Sequence, residues 1–341
     1  MIRSTGIFQY SFISILWALH DNIYRTKRCI HFCIHGIRFQ TVSGNTATKT
    51  KYGFTNNSNV VSTTPYYFYT FDPNDIRRNA TVGFYNYTTD NKEVFLASPY
   101  AWTFQKWDQR FNSSTWLASN LAANGKVGYG INWCIMRYSD VLLMFAETEN
   151  EINGGPTTDA ITALKLVRQR AFASSDWPEK VDAYVASKTG KDAFFDAIVN
   201  ERAWEFGGEG VRKYDLIRWN LLVTKIADQR AALINMMDNG MAPNGSTIPT
   251  ALWYKYKSGG EIIDKENINF YSNFDTTGKP GYTKVDWMKG YSDANKTTYK
   301  DQATKFSSGL TQNGVNNRHL YPIHSSAIAE SQGLLKNSYG F

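Results

Sequence analysis

The strongest constraint on the fold is a succession of amphipathic helices between residues 131 and 237. Apolar residues recur there at the spacing of a helical turn, as Ile135, Tyr138, Leu142 and Phe145 do, and the first helix ends at Gly154-Gly155-Pro156. Connections between consecutive helices are short, which favours antiparallel hairpins stacked side by side. The sequence therefore predicts a mostly α fold built on helical hairpins.

The other predicted helices follow closely along the chain. Thr157 or Thr158 can cap the second helix, a third covers about residues 191–206, and a fourth covers about residues 211–237. Asp176-Trp177-Pro178 is expected to interrupt the helical structure between the second helix and the third. Paired helices of this length resemble tetratricopeptide units, although the consensus of that repeat is not readable here.

Two loop-rich regions flank the helical residues. Residues 41–130 are polar, with β-prone runs at Tyr66–Phe71 and Val82–Tyr87, and residues 238–341 are rich in Gly, Pro and aromatic residues. A loop-rich region of this length inside a compact domain usually serves a function. We therefore treat residues 41–341 as one domain with a helical core and long, aromatic-rich, ligand-binding loops.

Residues 1–40 look unrelated to the rest of the chain. Five basic residues against one acidic residue give this segment +4 of the formal charge of +7, so the basic balance of the chain does not indicate nucleic-acid binding. The apolar run at residues 7–19 is too short to span a membrane and lacks a signal-peptide cleavage site. We expect this segment to lie outside the fold.

The same segment contains an alternation of potential metal ligands. Zinc motifs usually place two or more residues between paired ligands and have a second half elsewhere, and neither condition is met here. We therefore predict no metal site. The four residues are Cys29, His31, Cys33 and His35.

Motifs for nucleotide, zinc and serine-hydrolase chemistry are missing from the sequence. None of GxxxxGK[ST], GxGxxG after a strand, GxSxG or HExxH occurs. The chain has only five histidines, which offers little acid–base chemistry. We predict no cofactor and no catalytic residue.

Opposed charges crowd the helical residues. Glu201, Glu205 and Glu209 follow one another at i,i+4, where like charges repel unless cations neutralise them. Such carboxylates could form a glycosidase pair, but a general acid needs a raised pKa and the many nearby arginines would lower it. We therefore predict an interhelical salt-bridge lattice. Its members are Arg137, Arg168, Arg170, Glu201, Glu205, Glu209, Arg212, Asp215 and Arg218.

Aromatic residues make up 15% of the chain, more than a core alone usually requires. A single ring in a loop is most simply explained as an anchor that pins the loop to the core. Taken together, some of these rings are expected to form a platform for the flat apolar face of a sugar. The candidate ligand-binding residues are Trp102, Trp107, Trp116, Trp253, Tyr254, Trp287 and Tyr291. Polar neighbours that could bond sugar hydroxyls are Lys106, Asp108, Arg110, Asn112, Asp286 and Lys289.

Several longer stretches are recognisable as motifs. They are RYSDVLLMFAE at 137–147, VRQRA at 167–171, ERAWEFGGEGVRKYDLIRW at 201–219, LYPI at 320–323, LKNSYGF at 335–341 and DPNDIR at 72–77. Each resembles a motif of the SusD/RagB family, nutrient-binding outer-membrane lipoproteins of Bacteroidota. The resemblance covers about residues 50–341. His324 replaces a proline of the family pattern, and no lipobox precedes Cys29.

The resemblance implies a cell-surface glycan-binding protein rather than an enzyme. Such proteins capture oligosaccharides, or sometimes peptides, for uptake by a SusC-like TonB-dependent transporter at the cell outer membrane. Family ligand residues vary, so no binding residue transfers by motif. The chain resembles the C-terminal portion of a member with an unrelated start. Two alternatives stay open, namely a glycan-active enzyme and a scaffold subunit of the transporter complex that binds no ligand.

Overall fold

The structure is a computed structural model that describes residues 63–88, 92–96, 102–106, 115, 134–272, 280–288, 293–305 and 322–337. The helices in these ranges are α1 (Pro65–Thr70), α2 (Arg77–Thr81), α3 (Tyr138–Asn153), α4 (Thr158–Gln169), α5 (Tyr184–Ala186), α6 (Lys191–Glu205), α7 (Arg212–Arg218), α8 (Leu222–Asn239), α9 (Asp293–Lys305) and α10 (Ser325–Glu330). The strands are β1 (Val82–Gly83), β2 (Tyr85–Tyr87), β3 (Glu93–Phe95), β4 (Thr103–Phe104), β5 (Ala251–Tyr254) and β6 (Thr283–Asp286). The predicted mostly α fold is confirmed.

Helices α3, α4 and α6 form the helical core that the periodicity predicts. The hydroxyl of Thr157 caps α4 by accepting from the Ala160 amide at 3.1 Å, and α3 ends where Gly154 adopts φ 67°. Helix α3 packs against both α4 and α6. The three helices bury Leu143 of α3, Leu164 of α4 and Ile198 of α6 in a shared apolar cluster. Consecutive antiparallel helices therefore share one apolar centre, as in a tetratricopeptide-like hairpin.

The single helix predicted over residues 211–237 is wrong, because the chain forms two helices there. Asn220 adopts the left-handed conformation (φ 55°) between α7 and α8. The Leu221 amide then bonds back to the Leu216 carbonyl at 2.8 Å, which closes α7 in a Schellman arrangement. Asparagine tolerates this conformation better than most residues, so it ends a helix that apolar periodicity alone would continue.

Two further local predictions need correction. The β-prone run Tyr66–Phe71 suggests a strand, but most of it lies in helix α1. The helix forms because Thr64 caps its start and Pro65 occupies its first turn. The expected break at Asp176-Trp177-Pro178 contains a 3-10 turn (Ser174–Asp176) and a π-helical segment (Trp177–Ala183). Proline is accommodated at the start of a helical segment because its missing N–H has no partner there.

The prediction of strands at Val82–Tyr87 is confirmed by β1 and β2. Strand β1 pairs with β4, β2 with β3 and β5 with β6, each time in an antiparallel two-stranded sheet. These ribbons pack around a second, aromatic core, which includes Phe68, Phe84, Trp102, Phe270 and Trp287 together with Leu233 and Met236 of α8. The aromatic core thus joins segments that are far apart in sequence.

A glycine turn brings the aromatic segments against α6. The Tyr67 hydroxyl donates to the Ala203 carbonyl at 2.7 Å, and a Cβ added at Gly207 would overlap that hydroxyl. The backbone at Gly207 therefore approaches α1 more closely than any other residue type would permit. Among the helices that the structure describes, none is both long and apolar enough to cross a membrane.

We predict that Gly207→Ala lowers the free energy of unfolding by about 1–3 kcal/mol, because the added methyl group overpacks the contact with Tyr67. Urea denaturation measures the change. The matched control is Gly155→Ala, where an added Cβ meets no atom within 4 Å and the expected change is below about 0.5 kcal/mol. Equal stabilities of the two variants would contradict the prediction.

Candidate functional site

A network of buried charges joins the helical core to the residues before it. Glu201 of α6 is fully buried, and its two carboxylate oxygens accept from Arg77 of α2 at 2.7 Å and from Arg168 of α4 at 2.8 Å. Arg77 also binds Asp75 at 2.7 Å. One buried carboxylate therefore ties together two helices of the core and a helix from the loop-rich region.

The carboxylates of the next turn extend this ion-pair network. Glu205 accepts from Arg137 at 2.7 Å and from Arg77 at 3.1 Å, and Glu209 accepts from Arg137 at 2.8 Å and from Lys106 at 2.6 Å. Burial by itself raises the pKa of Glu205, but Arg137 and Arg77 outweigh that effect and lower the pKa to about 2. A carboxyl group with so low a pKa is ionised at neutral pH and cannot serve as a general acid.

The remaining predicted lattice residues have more varied partners. Asp215 binds Arg218 at 3.0 Å and also accepts from Arg202 at 2.7 Å. Arg170 is largely exposed and lies 3.7 Å from Glu205, while Arg212 donates to the Val199 carbonyl at 2.8 Å. Sequence reasoning missed Asp75 and Arg77, although the motif DPNDIR that contains them had been noted. Arg202 donates further to Asp140 at 2.6 Å.

Three of the predicted ligand-binding rings lie in the aromatic core. Trp102 is 1% exposed and Trp287 3%, and the two rings stack with centroids 4.9 Å apart. The indole N–H of Trp287 donates to the Tyr69 hydroxyl at 2.7 Å, and Tyr254 is also buried. A ring without exposed surface cannot stack on a sugar, so for these three rings the structure favours loop anchoring over ligand contact.

The other predicted rings have different outcomes. Trp107, Trp116 and Tyr291 lie outside the described residues. Trp253 is half-buried and lies on β5 directly opposite Lys284 of β6. It is thus the predicted aromatic residue that the structure places at a surface.

The β5–β6 ribbon has one face in the aromatic core and one face outside it. Leu252 and Tyr254 of β5 point into the core, and successive side chains of a strand alternate between its faces. The outer face therefore carries the neighbours of these residues. We use the name ribbon face for its aromatic and charged residues. They are Trp253, Lys284 and Asp286 of the strands and Lys255 and Tyr282, which flank the strands and contact each other.

The ribbon face combines aromatic rings with charge. The Lys255 ammonium lies 4.3 Å from the ring centroid of Tyr282, and the Lys284 ammonium lies 5.8 Å from that of Trp253. Tyr282 is half-buried, whereas both lysines and Asp286 are exposed. Sequence reasoning missed Lys255, Tyr282 and Lys284, whose proximity comes from strand pairing. Among the described residues, no cluster of three His, Cys, Asp or Glu side chains suits a metal ion.

Comparison with known proteins identifies the family. The family model for the SusD family (SusD_RagB) matches residues 38–341, and the chain belongs to this family. The resemblance seen in the motifs is thereby confirmed.

Two relatives cover shorter parts of the chain. SusD-like protein P25 of Formosa agariphila is 41% identical over 98 residues, which make up 28% of this chain and 17% of that protein. A crystal structure of a SusD homolog from Bacteroides thetaiotaomicron VPI-5482 matches with 25% identity and a TM-score of 0.40, over 50% of this chain and 35% of the other. The matched parts are thus well under two thirds of either relative.

We predict that Glu201→Ala lowers the free energy of unfolding by about 3–5 kcal/mol, because Arg168 loses its buried counter-ion. The control is Asp182→Ala, which breaks an exposed ion pair with Lys165 and should cost at most about 1 kcal/mol. Urea denaturation of both variants provides the comparison. If both variants lose a similar amount of unfolding free energy, the buried ion pairs contribute no more to stability than an exposed one.

We also predict an acid-dependent contribution from Glu205. Its pKa is about 2 in the folded protein and 4.5 ordinarily, so its contribution is complete above pH 4.5 and is lost as the pH falls towards 2. The full contribution is on the order of 3 kcal/mol. Urea denaturation should therefore show wild type more stable than Glu205→Gln at pH 7, with the difference shrinking below pH 4.5. A difference that does not change with pH is the contrary result.

Proposed function

We propose that this chain is a surface-exposed glycan-binding protein of the cell outer membrane. It captures oligosaccharides and delivers them to a SusC-like TonB-dependent transporter, without turning them over. Membership of the SusD family supports this function as a whole. The proposed binding site rests on one observation, the pair of half-buried rings Trp253 and Tyr282. They lie on the outer side of a ribbon whose inner side packs in the aromatic core.

Such a pair of rings suits a sugar for a simple reason. The faces of pyranose rings carry C–H groups, which pack against an aromatic face, while hydroxyl groups at the sugar edge need polar partners. Lys255, Lys284 and Asp286 provide those partners on the ribbon face. Because the ribbon rests on Leu252 and Tyr254 in the core, its rings are already positioned before ligand arrives, which reduces the entropic cost of binding.

Turnover of a glycan is less well supported than binding. Most glycosidases need two carboxyl groups on either side of the scissile bond, one of them with a raised pKa. Within the described residues, the ribbon face offers one carboxylate, Asp286. The helical carboxylates Glu201 and Glu205 are buried and engaged by arginines. Binding without chemistry is therefore the function that these residues favour.

We predict that Trp253→Ala and Tyr282→Ala each weaken glycan binding by about tenfold, equivalent to ~1.4 kcal/mol, through lost stacking. Affinity gel electrophoresis against a panel of soluble polysaccharides measures binding, and chromatography of the same mixtures detects products. Tyr214→Ala is the control, since it removes an exposed ring from α7, which is not part of the β5–β6 ribbon.

The alternatives give different results in this experiment. New products would support a glycan-active enzyme. A folded wild-type chain that no polysaccharide retards would support a scaffold subunit without ligand. If Tyr214→Ala and Tyr282→Ala weaken glycan binding equally, the ribbon face is not the binding site.

A further inference from the structure

The two lysines of the ribbon face have no acidic partner among the described residues. Lys255 and Lys284 contact aromatic rings but form no ion pair there. By contrast, Lys265 in the same part of the chain binds Glu93 at 2.6 Å, and Lys257 lies 3.6 Å from Glu266. Within the described part of the chain, the ribbon face therefore presents two ammonium groups without a carboxylate partner beside its two rings.

These lysines lie over the ring surfaces that a sugar would use. The Lys255 ammonium is 4.3 Å from the centroid of Tyr282, so a ligand that stacks on the same side of that ring must displace it. An exposed cation–π contact is weakly attractive, and a ligand has to offset its loss. A neutral sugar supplies no charge to the displaced ammonium. A sugar with an anionic substituent does, through a charge-assisted hydrogen bond.

The charge on the ribbon face is consistent with this exchange. Two lysines outnumber the single carboxylate of Asp286, which lies one same-face position beyond Lys284 on β6. The side chains of Lys255 and Lys284 are exposed and long, so each can leave its ring and follow a charged group at the edge of a stacked sugar.

We propose that the ribbon face selects acidic glycans, in which an anionic sugar substituent pairs with Lys255 or Lys284 while the sugar ring stacks on Trp253 or Tyr282. This inference rests on the glycan-binding function proposed above and names its ligand class. The anionic group is a carboxylate of a uronic acid or a sulfate ester, since both accept hydrogen bonds from an ammonium group.

The test is calorimetric titration of the full chain with two matched pairs of polymers. Polygalacturonate is compared with its methyl-esterified form, and sulfated carrageenan with the desulfated polymer. We expect at least one anionic polymer to bind more tightly than its neutral counterpart, with an advantage that falls as salt increases. The pair that shows the larger difference distinguishes carboxylate from sulfate.

Variants assign the effect to the ribbon face. Lys255→Gln and Lys284→Gln should each reduce the advantage of the anionic polymer over its neutral counterpart by about two- to fivefold, because glutamine can still bond sugar hydroxyls but carries no charge. Lys188→Gln is the matched control, because Lys188 also lies over a tyrosine ring, 4.8 Å from that of Tyr184, but outside the ribbon.

The outcomes that overturn this inference can be told apart from the one that overturns the proposed function. Neutral and anionic polymers that bind equally, or a control variant that loses as much affinity as Lys284→Gln, would refute the selection of acidic glycans while glycan binding itself stands. Failure of all four polymers to bind would refute the acidic-glycan site. Failure of the wider polysaccharide panel as well would refute the proposed function.

Discussion

The buried carboxylate of Glu201 is the interaction on which the rest of the structure depends. It lies between Arg77 and Arg168, and none of its surface reaches solvent. A buried charge is tolerated only where partners replace its water shell, so burial of Glu201 requires α2, α4 and α6 to come together. Because Arg77 comes from the loop-rich region, this contact makes that region and the helical core parts of one cooperative unit.

The aromatic core connects the ribbon face to this ion-pair network and holds it in place. Helix α1 runs between α6, where Tyr67 donates to Ala203, and the aromatic cluster around Phe68. The same cluster holds the inner side of the β5–β6 ribbon, including Leu252. A surface ring held in this way loses little conformational freedom when it binds a ligand, and this is the physical reason for proposing Trp253 as a recognition residue.

Much of the helical core could be predicted from sequence, because its signals are local. The signals at Gly154 and Thr157 locate the end of α3 and the start of α4 within a residue or two. The apolar spacing also included Ile135, which precedes the observed start of α3 at Tyr138. The prediction failed at Asn220, where one left-handed residue divides an apolar pattern. It also failed at Thr64-Pro65, where the cap and the first-turn proline outweigh the β-prone residues that follow. For the candidate site, only Trp253 and Asp286 had been singled out, and the lysines of the ribbon face had not.

The sequence by itself determined the family, the mostly helical class of the fold and the need for cations beside Glu201 and Glu205, since motifs, periodicity and like-charge spacing are all local properties. Only the tertiary structure decided which tryptophans are buried and which side chains share a face. Trp102 and Trp287 stack although they are far apart in the chain, and Trp253 reaches the surface because strand pairing turns alternate residues outward. Burial depends on contacts between distant segments, and no local pattern records those contacts.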